Sequence, residues 1–399
     1  MDIRELRNSI QATREVAYFN TGWAGPSPEP VLARMKEVFD REAAIGPASL
    51  EAQRLAREVN EGTRGVVAGL LSAPPEEVMI THGTTEGLHI VLYGYPWQAG
   101  DELVTCALEH AALAQSANVL EQKFGIVAKR VEVPPNASEE LQLRMVSDAI
   151  TPRTRIVALS HVQYTCGLRM PIAAIVEAAH RAGALVLVDG AQTGGQLAID
   201  VRDIGADFYS ISGQKWALGP QGTGALWVAP EHNRAFEPLF NTHDLADSRA
   251  GPVLEGAGPP NPLQRFRVTS NSTALIAGFG EAARLLTSVG MRTIEERANE
   301  LADQLRAGVH AIPGCRVTGP LEGGTTCGLV SVAVESWEPR QVVEALWERW
   351  RISIRAVNNP PAVRFSVHAF NTEGEIDKAL GALGALVKEE PPVPAAGAH

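Results

Sequence analysis

At 399 residues, 45% of them hydrophobic and 20% charged, the chain has the composition of a globular protein able to bury a large core, with two or so domains as the prior expectation. A formal net charge of −11 argues against nucleic acid or an anionic membrane as the main partner, since an acidic surface attracts neither. No run reaches the ~18 apolar residues of a membrane span and residues 1–19 hold no signal-peptide apolar core, which predicts a cytoplasmic protein; Cys106, Cys166, Cys315 and Cys327 form no CxxC pair, so reduced thiols and no metal site are expected.

In chain order, residues 2–14 read as a short helix. They lead into YFNTGWAGPSP (18–28), where Asn20, Gly22, Gly25 and two prolines break regular structure. Residues 31–58 are helical in pattern, with a break at Gly46 and Pro47. The stretch VMITHGTTEGLHIVLYG then predicts a strand at 78–81, a turn at Gly83 and a helix from Thr84 or Thr85. At such a junction unpaired backbone N–H groups and the helix dipole face one point, which makes it a candidate phosphate cup. The Thr84 and Thr85 hydroxyls add donors, a role compatible with helix capping. A strand at 102–105 runs into a helix carrying His110, and a strand at 126–133, a helix at 139–150 and a strand at 155–161 follow. A crossover helix at 171–183 returns the chain to an apolar, β-branched run that ends in Asp189, the pattern of a buried parallel strand. The alternation of strands and helices predicts a mostly parallel α/β sheet with ligands at the carboxyl ends of its strands.

The short run 207–211 leads into Ser212, Gly213, Gln214 and Lys215. A lysine at the mouth of a sheet is desolvated, which lowers its pKa and prepares the amine to condense with an aldehyde. A carboxylate at a neighbouring strand end, here Asp189, suits a pyridinium nitrogen, and together they suggest a pyridoxal phosphate site. One lysine and one aspartate are a weak motif by themselves.

The motifs VDGAQ, GADFYSISGQK and GPQGTGALW resemble the class V aminotransferase superfamily, which includes cysteine desulfurases, cysteine C–S lyases, isopenicillin epimerases and kynureninases. The resemblance implies a fold type I, pyridoxal phosphate-dependent α/β protein. Its large domain, 16–288, would hold a mostly parallel seven-stranded sheet, and a smaller α+β domain would comprise 289–390 with 1–15, leaving 391–399 as a disordered tail. It implies that Lys215 carries the cofactor, Asp189 meets its ring nitrogen, His110 stacks on its ring, Gln192 meets its ring oxygen, and Ser212 and Gln214 contact its phosphate. Gln214 stands where desulfurases have histidine. His82 departs from the family's TSG-type triplet and is expected to be a buried, satisfied histidine. Thr273 would reach the phosphate of a partner subunit, implying a homodimer with shared sites.

For substrate, the resemblance places Arg364 on the amino acid carboxylate, with Arg355 on the adjacent strand a second candidate; a guanidinium binds a carboxylate through two parallel hydrogen bonds. The segment with Asn20 would line the mouth of the site. Tyr164 stands where desulfurases commonly have asparagine. Desulfurases carry a persulfide cysteine before the carboxylate arginine, and RAVNNPPAVR contains none. The expected function is therefore β-elimination at a C–S bond of cysteine or a related sulfur amino acid. Class V transamination, amino acid epimerisation and a non-catalytic, cofactor-binding regulatory role are the alternatives. The C-terminal third predicts a helix at 289–312, a strand at 329–335, a helix at 339–350 and a strand at 352–357.

Overall fold

The computed structural model describes residues 1–233, 236, 262–266, 271–321 and 323–391. The irregular connection expected at 241–262 and the tail expected at 391–399 fall, apart from Pro262 and Pro391, outside the described residues. The N-terminus forms helix α1 (Ile3–Asn8) and a separate 3-10 turn (Gln11–Arg14) instead of one helix over 2–14, because the Asp2 and Glu5 capping box starts α1 but Ile10, in extended conformation, interrupts it. Strand β1 (Ala17–Tyr18) follows, then α2 (Glu29–Ile45) and α3 (Leu50–Gly69). They part at Gly46, whose φ of 80° is open to glycine, and Ser49 caps the second helix, which runs well past residue 58.

Strands and helices then alternate as β2 (Val78–Thr81), α4 (Thr84–Gly94), β3 (Glu102–Cys106), α5 (Ala111–Phe124), β4 (Val127–Val131), α6 (Glu139–Ala149), β5 (Thr154–Ser160), α7 (Ile172–Arg181), β6 (Leu185–Gly190), α8 (Val201–Ile204), β7 (Phe208–Ser212) and β8 (Gly224–Val228). The strands form one seven-stranded sheet in the order β2-β8-β7-β6-β5-β3-β4, with antiparallel pairing only where β8 meets its neighbours. Its central strands are apolar on both faces because helices cover both. Val157, Leu159, Val186 and Val188 pack into one core, while Ile156, Ala158, Leu187 and Phe208, one residue out of phase, pack into another.

Past α9 (Thr273–Val289), Gly290 at φ 97° ends one helix and starts the next, α10 (Met291–His310). The elements β9 (Cys315–Val317), β10 (Leu329–Val334), α11 (Pro339–Trp350), β11 (Ile352–Ser353), β12 (Arg355–Asn358), β13 (Pro361–Ser366) and α12 (Glu373–Leu386) complete the described chain. An antiparallel sheet of order β12-β13-β10-β9 packs against α10, α11 and α12 around Leu301, Leu305, Val332, Phe365 and Leu383. The strand expected at 352–357 is divided: β11 pairs in parallel with β1, and β12 joins the antiparallel sheet. Helix α1 ties the C-terminal elements to the large sheet, since Leu6 buries beside that sheet while Arg7 reaches the Phe370 carbonyl and the Glu375 carboxylate on α12.

Candidate active site

The carboxyl ends of the parallel strands open into a cavity of about 570 Å³. Asp189 arrives from β6, Lys215 from the turn after β7, His110 from the start of α5, Thr84 and Thr85 from the start of α4, and Tyr164 from the segment after β5. Arg355 and Arg364 enter from the smaller sheet, where they are directly opposed on β12 and β13. Cross-strand partners in an antiparallel pair share one face, so the register itself aims both guanidiniums at the same space.

One end of the cavity is built for an anion. Gly83 caps α4 without a side-chain acceptor, and the Thr84 Oγ1 is buried with no partner among the described residues. Ser212 donates its hydroxyl to Gln214 Oε1 at 2.8 Å, which leaves the Gln214 amide N–H₂ as a donor. His82, expected to be buried and satisfied, is instead exposed and lines this end, its Nδ1 2.7 Å from Glu86 Oε2; the turn at Gly83 carries its side chain outwards.

At the centre, burial lowers the Lys215 amine to about 8, with Asp189 opposing the shift and Arg364 and Arg355 adding to it. Burial raises the pKa of Asp189, partly offset by the Ala191 N–H it accepts at 2.8 Å and by Lys215. His110 is the N-cap of α5 and not within it, its Nδ1 accepting the Ala112 N–H at 3.2 Å. Burial together with Lys215, Arg355 and Arg364 lowers its pKa, so the ring is held neutral, edge-on to Tyr164 with centroids 5.3 Å apart. Gln192 accepts from Trp216 Nε1 at 2.8 Å and donates to the Gly22 carbonyl at 3.0 Å, keeping one amide N–H for the cavity.

The other end presents a buried, under-satisfied guanidinium. Arg364 is fully buried, and among the described residues only its Nη1 is engaged, donating to the Tyr164 carbonyl at 2.8 Å, while Nε and Nη2 have no partner. Burial and the neighbouring Arg355 bring its pKa down to about 9, the mark of a cation that lacks its counter-ion. Arg355 lies over the exposed Trp23 ring, 4.7 Å from its centroid. The loop carrying Trp23 can lie this close only because residue 22 is glycine: a Cβ there would sit 2.7 Å from Ser366 Oγ and 2.8 Å from Gln192 Oε1.

Of the residues singled out from the sequence, Lys215, His110, Asp189, Thr84, Thr85, Gln192, Ser212, Gln214, Arg364, Arg355 and Tyr164 line this one cavity. Asn20 does not. It is buried behind the loop, bridged to Ser366, and its backbone carbonyl accepts the Trp23 N–H at 3.0 Å, so it shapes the wall without facing the space. Thr273 begins α9 as expected but is not part of the cavity lining of its own chain. Trp23 lines the cavity from the segment expected at its mouth, while Glu86 and Gln221 were not singled out; of these two only Glu86 left a signal, its spacing of four residues from His82 on a helix start. Glu109 was also missed. It is buried behind His110, accepting the Ser160 N–H and the Gln163 amide at 3.0 Å each, and the Ser160 hydroxyl.

The buried, unpaired hydroxyl at the anion end, the lysine of lowered pKa facing a buried aspartate, and the neutral imidazole between them fit the phosphate, aldehyde, ring nitrogen and ring face of pyridoxal phosphate. Comparisons with known proteins agree. The family described as Aminotransferase class-V matches residues 18–379. A probable cysteine desulfurase of Methanothermobacter thermautotrophicus is 29% identical over 94% of this chain and 96% of its own length. An isopenicillin N epimerase of Streptomyces clavuligerus is 29% identical over 97% and 99%. Among solved structures, a C-DES mutant with glycine covalently linked to its PLP cofactor superposes with a TM-score of 0.87 at 26% identity, covering 95% of this chain and 98% of that one. The cystine C–S lyase C-DES in complex with its reaction product, cysteine persulfide, gives 0.85 at 26% identity over 92% and 97%. The chain belongs to the aminotransferase class-V family and is a pyridoxal phosphate-dependent enzyme.

Proposed function

We propose that the enzyme cleaves a C–S bond by β-elimination from cysteine or a related sulfur amino acid. The observation that carries this reading is a cavity that presents a carboxylate-seeking arginine beside an activated lysine and has no thiol in its lining. Cys106, Cys166 and Cys327 are buried elsewhere and Cys315 is half-buried; burial raises all four thiols, Cys166 and Cys315 to about 11, which keeps them from acting as sulfur-accepting thiolates.

Arg364 binds the α-carboxylate through its free Nε and Nη2, fixing Cα relative to Lys215. Lys215, freed when the substrate's amine takes its place at the aldehyde, is an amine of pKa about 8 and takes the Cα proton. The bound cofactor supplies the sink for the electron pair that this leaves. Lys215 and Asp189 would hold it at aldehyde and ring nitrogen, Gln192 at its ring oxygen, His110 against its face, and Thr84, Thr85, Ser212 and Gln214 at its phosphate. Breaking Cβ–S sends that bond's electrons to sulfur, and hydrolysis of the released enamine gives pyruvate and ammonia. Arg355 supports a substrate with a second anionic group beyond the sulfur. Cystine has one, and C-DES, a cystine C–S lyase, is structurally similar.

The same reading divides the work between residues 16–288, which supply Lys215 and the cofactor contacts, and 289–390 with 1–15, which supply the two arginines. It also takes the enzyme as a homodimer, with Thr273 serving the partner's site and the exposed apolar Leu32, Phe39 and Leu50 available to an interface. Four free thiols support the cytoplasm as its location.

The test is product analysis with cysteine, cystine and their sulfur analogues. Pyruvate with sulfide or persulfide is expected. Alanine with sulfur left on the protein would establish desulfuration, keto acid-dependent recovery of the cofactor spectrum transamination, and loss of optical rotation without product epimerisation; any of these replaces the reading.

A further inference from the structure

We propose that His82 and Glu86 form a phosphate-binding dyad, in which Glu86 orients and holds the proton of a histidine that contacts the cofactor's phosphate. The inference deepens the placement of the phosphate at the start of α4 and rests on it.

Three observations meet here. Both side chains line the anion end of the cavity with Gly83, Thr84 and Thr85. One Glu86 oxygen takes both the His82 backbone N–H, at 2.5 Å, and its ring Nδ1, at 2.7 Å, so two bonds fix the imidazole and Nε2 is left without a partner among the described residues. The unpartnered Thr84 Oγ1, in a side chain more than nine-tenths buried, marks the same spot as built for a ligand. A lone carboxylate at an anion cup would repel the anion. With a phosphate oxygen at Nε2 and Glu86 at Nδ1, both ring nitrogens face acceptors, and only the imidazolium satisfies both. The dyad then turns Glu86 from an opponent of the phosphate into the anchor of the ring that donates to it. On the facing side Gln214 and Gln221 are uncharged, so the dyad and the helix start govern this end; Lys215, Asp189, His110, Tyr164 and the two arginines complete the titratable groups of the lining among the described residues.

The experiment measures dissociation of pyridoxal phosphate and of pyridoxal, which lacks the phosphate, from the full-length enzyme. His82→Asn is expected to weaken pyridoxal phosphate by about tenfold to a hundredfold, the range of one charge-assisted hydrogen bond, and to leave pyridoxal unchanged. Adding Glu86→Gln to that variant removes the exposed repulsion and recovers part of the loss, so the double variant binds more tightly than the single one. Equal affinities for wild type and His82→Asn, or a double variant weaker than the single, overturn the dyad. Thr84→Val separates the two levels: if it also leaves pyridoxal phosphate affinity intact, the phosphate is not at α4 and the underlying placement fails; if it weakens binding where His82→Asn does not, only the dyad fails.

Discussion

The two edges of the seven-stranded sheet treat charge in opposite ways. At the edge where the parallel strands begin, the buried carboxylates are paired. Glu102 accepts from Lys129 at 2.7 Å and Arg153 at 2.8 Å, Asp207 from His180 and His232 at 2.8 Å each, Glu77 from Arg202 at 2.6 Å and Trp227 at 2.9 Å, and Asp101 from Arg155 at 2.8 Å. At the edge where they end, Arg364 keeps two nitrogens unsatisfied, Thr84 a hydroxyl, and Arg355 faces Arg364 across a strand pair without an acidic partner among the described residues. Burying a polar group without a partner costs stability, so a fold that does this repeatedly in one place is holding that place for a ligand. The paired edge contributes stability and the unpaired edge function.

Breaking the unpaired edge at its centre has the largest expected effect. Lys215→Ala should lower pyruvate formation on the order of 10³-fold or more. A variant retaining activity within tenfold would remove Lys215 from the chemistry. Arg364→Met follows. It deletes a buried guanidinium that has no acidic partner among the described residues, so the substrate KM should rise on the order of a hundredfold while the ligand-free protein gains about 1–3 kcal/mol in urea unfolding. A variant that lost stability would show that the guanidinium is structurally paired, and the contrast between the edges would fall with it.

Glu109 sharpens the comparison because it sits at the functional edge yet accepts three hydrogen bonds. Burial lifts its carboxyl to about 7, against the Ser160 and Gln163 donors and with help from Asp189. A folded-state pKa above the 4.5 of the free group means the native protein binds the extra proton, so this residue's contribution is full below pH 4.5 and disappears as pH rises through 7. The loss amounts to at most about 3 kcal/mol over that window. Glu109→Gln, uncharged throughout, should flatten the thermal midpoint between pH 4.5 and 8 relative to wild type; parallel profiles for the two proteins would rule the titration out.

What could be read from the sequence follows from how local each signal is. β2, the turn at Gly83 and the start of α4 lie within a few residues of one another, and so do β6 with Asp189 and β7 with Lys215; period and turn chemistry suffice to place them. Arg355 and Arg364 meet the lysine only through packing of a second sheet, and resemblance alone had paired them with it. Glu109 was invisible because its partners, Ser160 and Gln163, lie 51 and 54 residues away. Strand β9 has three residues, too few to show alternation, and it exists because β10 offers it an edge. The division at 352–357 has the same origin, since Ile352 is drawn to β1 by a contact no local pattern encodes. His82 was placed in the interior on residue type, but an exposed turn and a carboxylate one helical turn on determine where it goes.

The smallest expected effect belongs to the paired edge, and its sign is opposite to that of Glu109. Burial alone would push Glu102 up, but hydrogen bonds from Lys129, Thr151 and Arg153 outweigh it and hold the carboxyl near 2. The native state therefore favours the ionised form, and its contribution is present above pH 4.5 and lost as pH falls towards 2. Glu102→Gln should cost about 1–2 kcal/mol at neutral pH, since Lys129 and Arg153 recover water as they lose their partner. The deficit should shrink with acidification and leave turnover unchanged, because β3 begins at the far end from the cavity. A deficit that grows on acidification would mean that Glu102 is not the ionised anchor of this edge, while a fall in turnover at full folding would mean that the two edges are coupled through the strand.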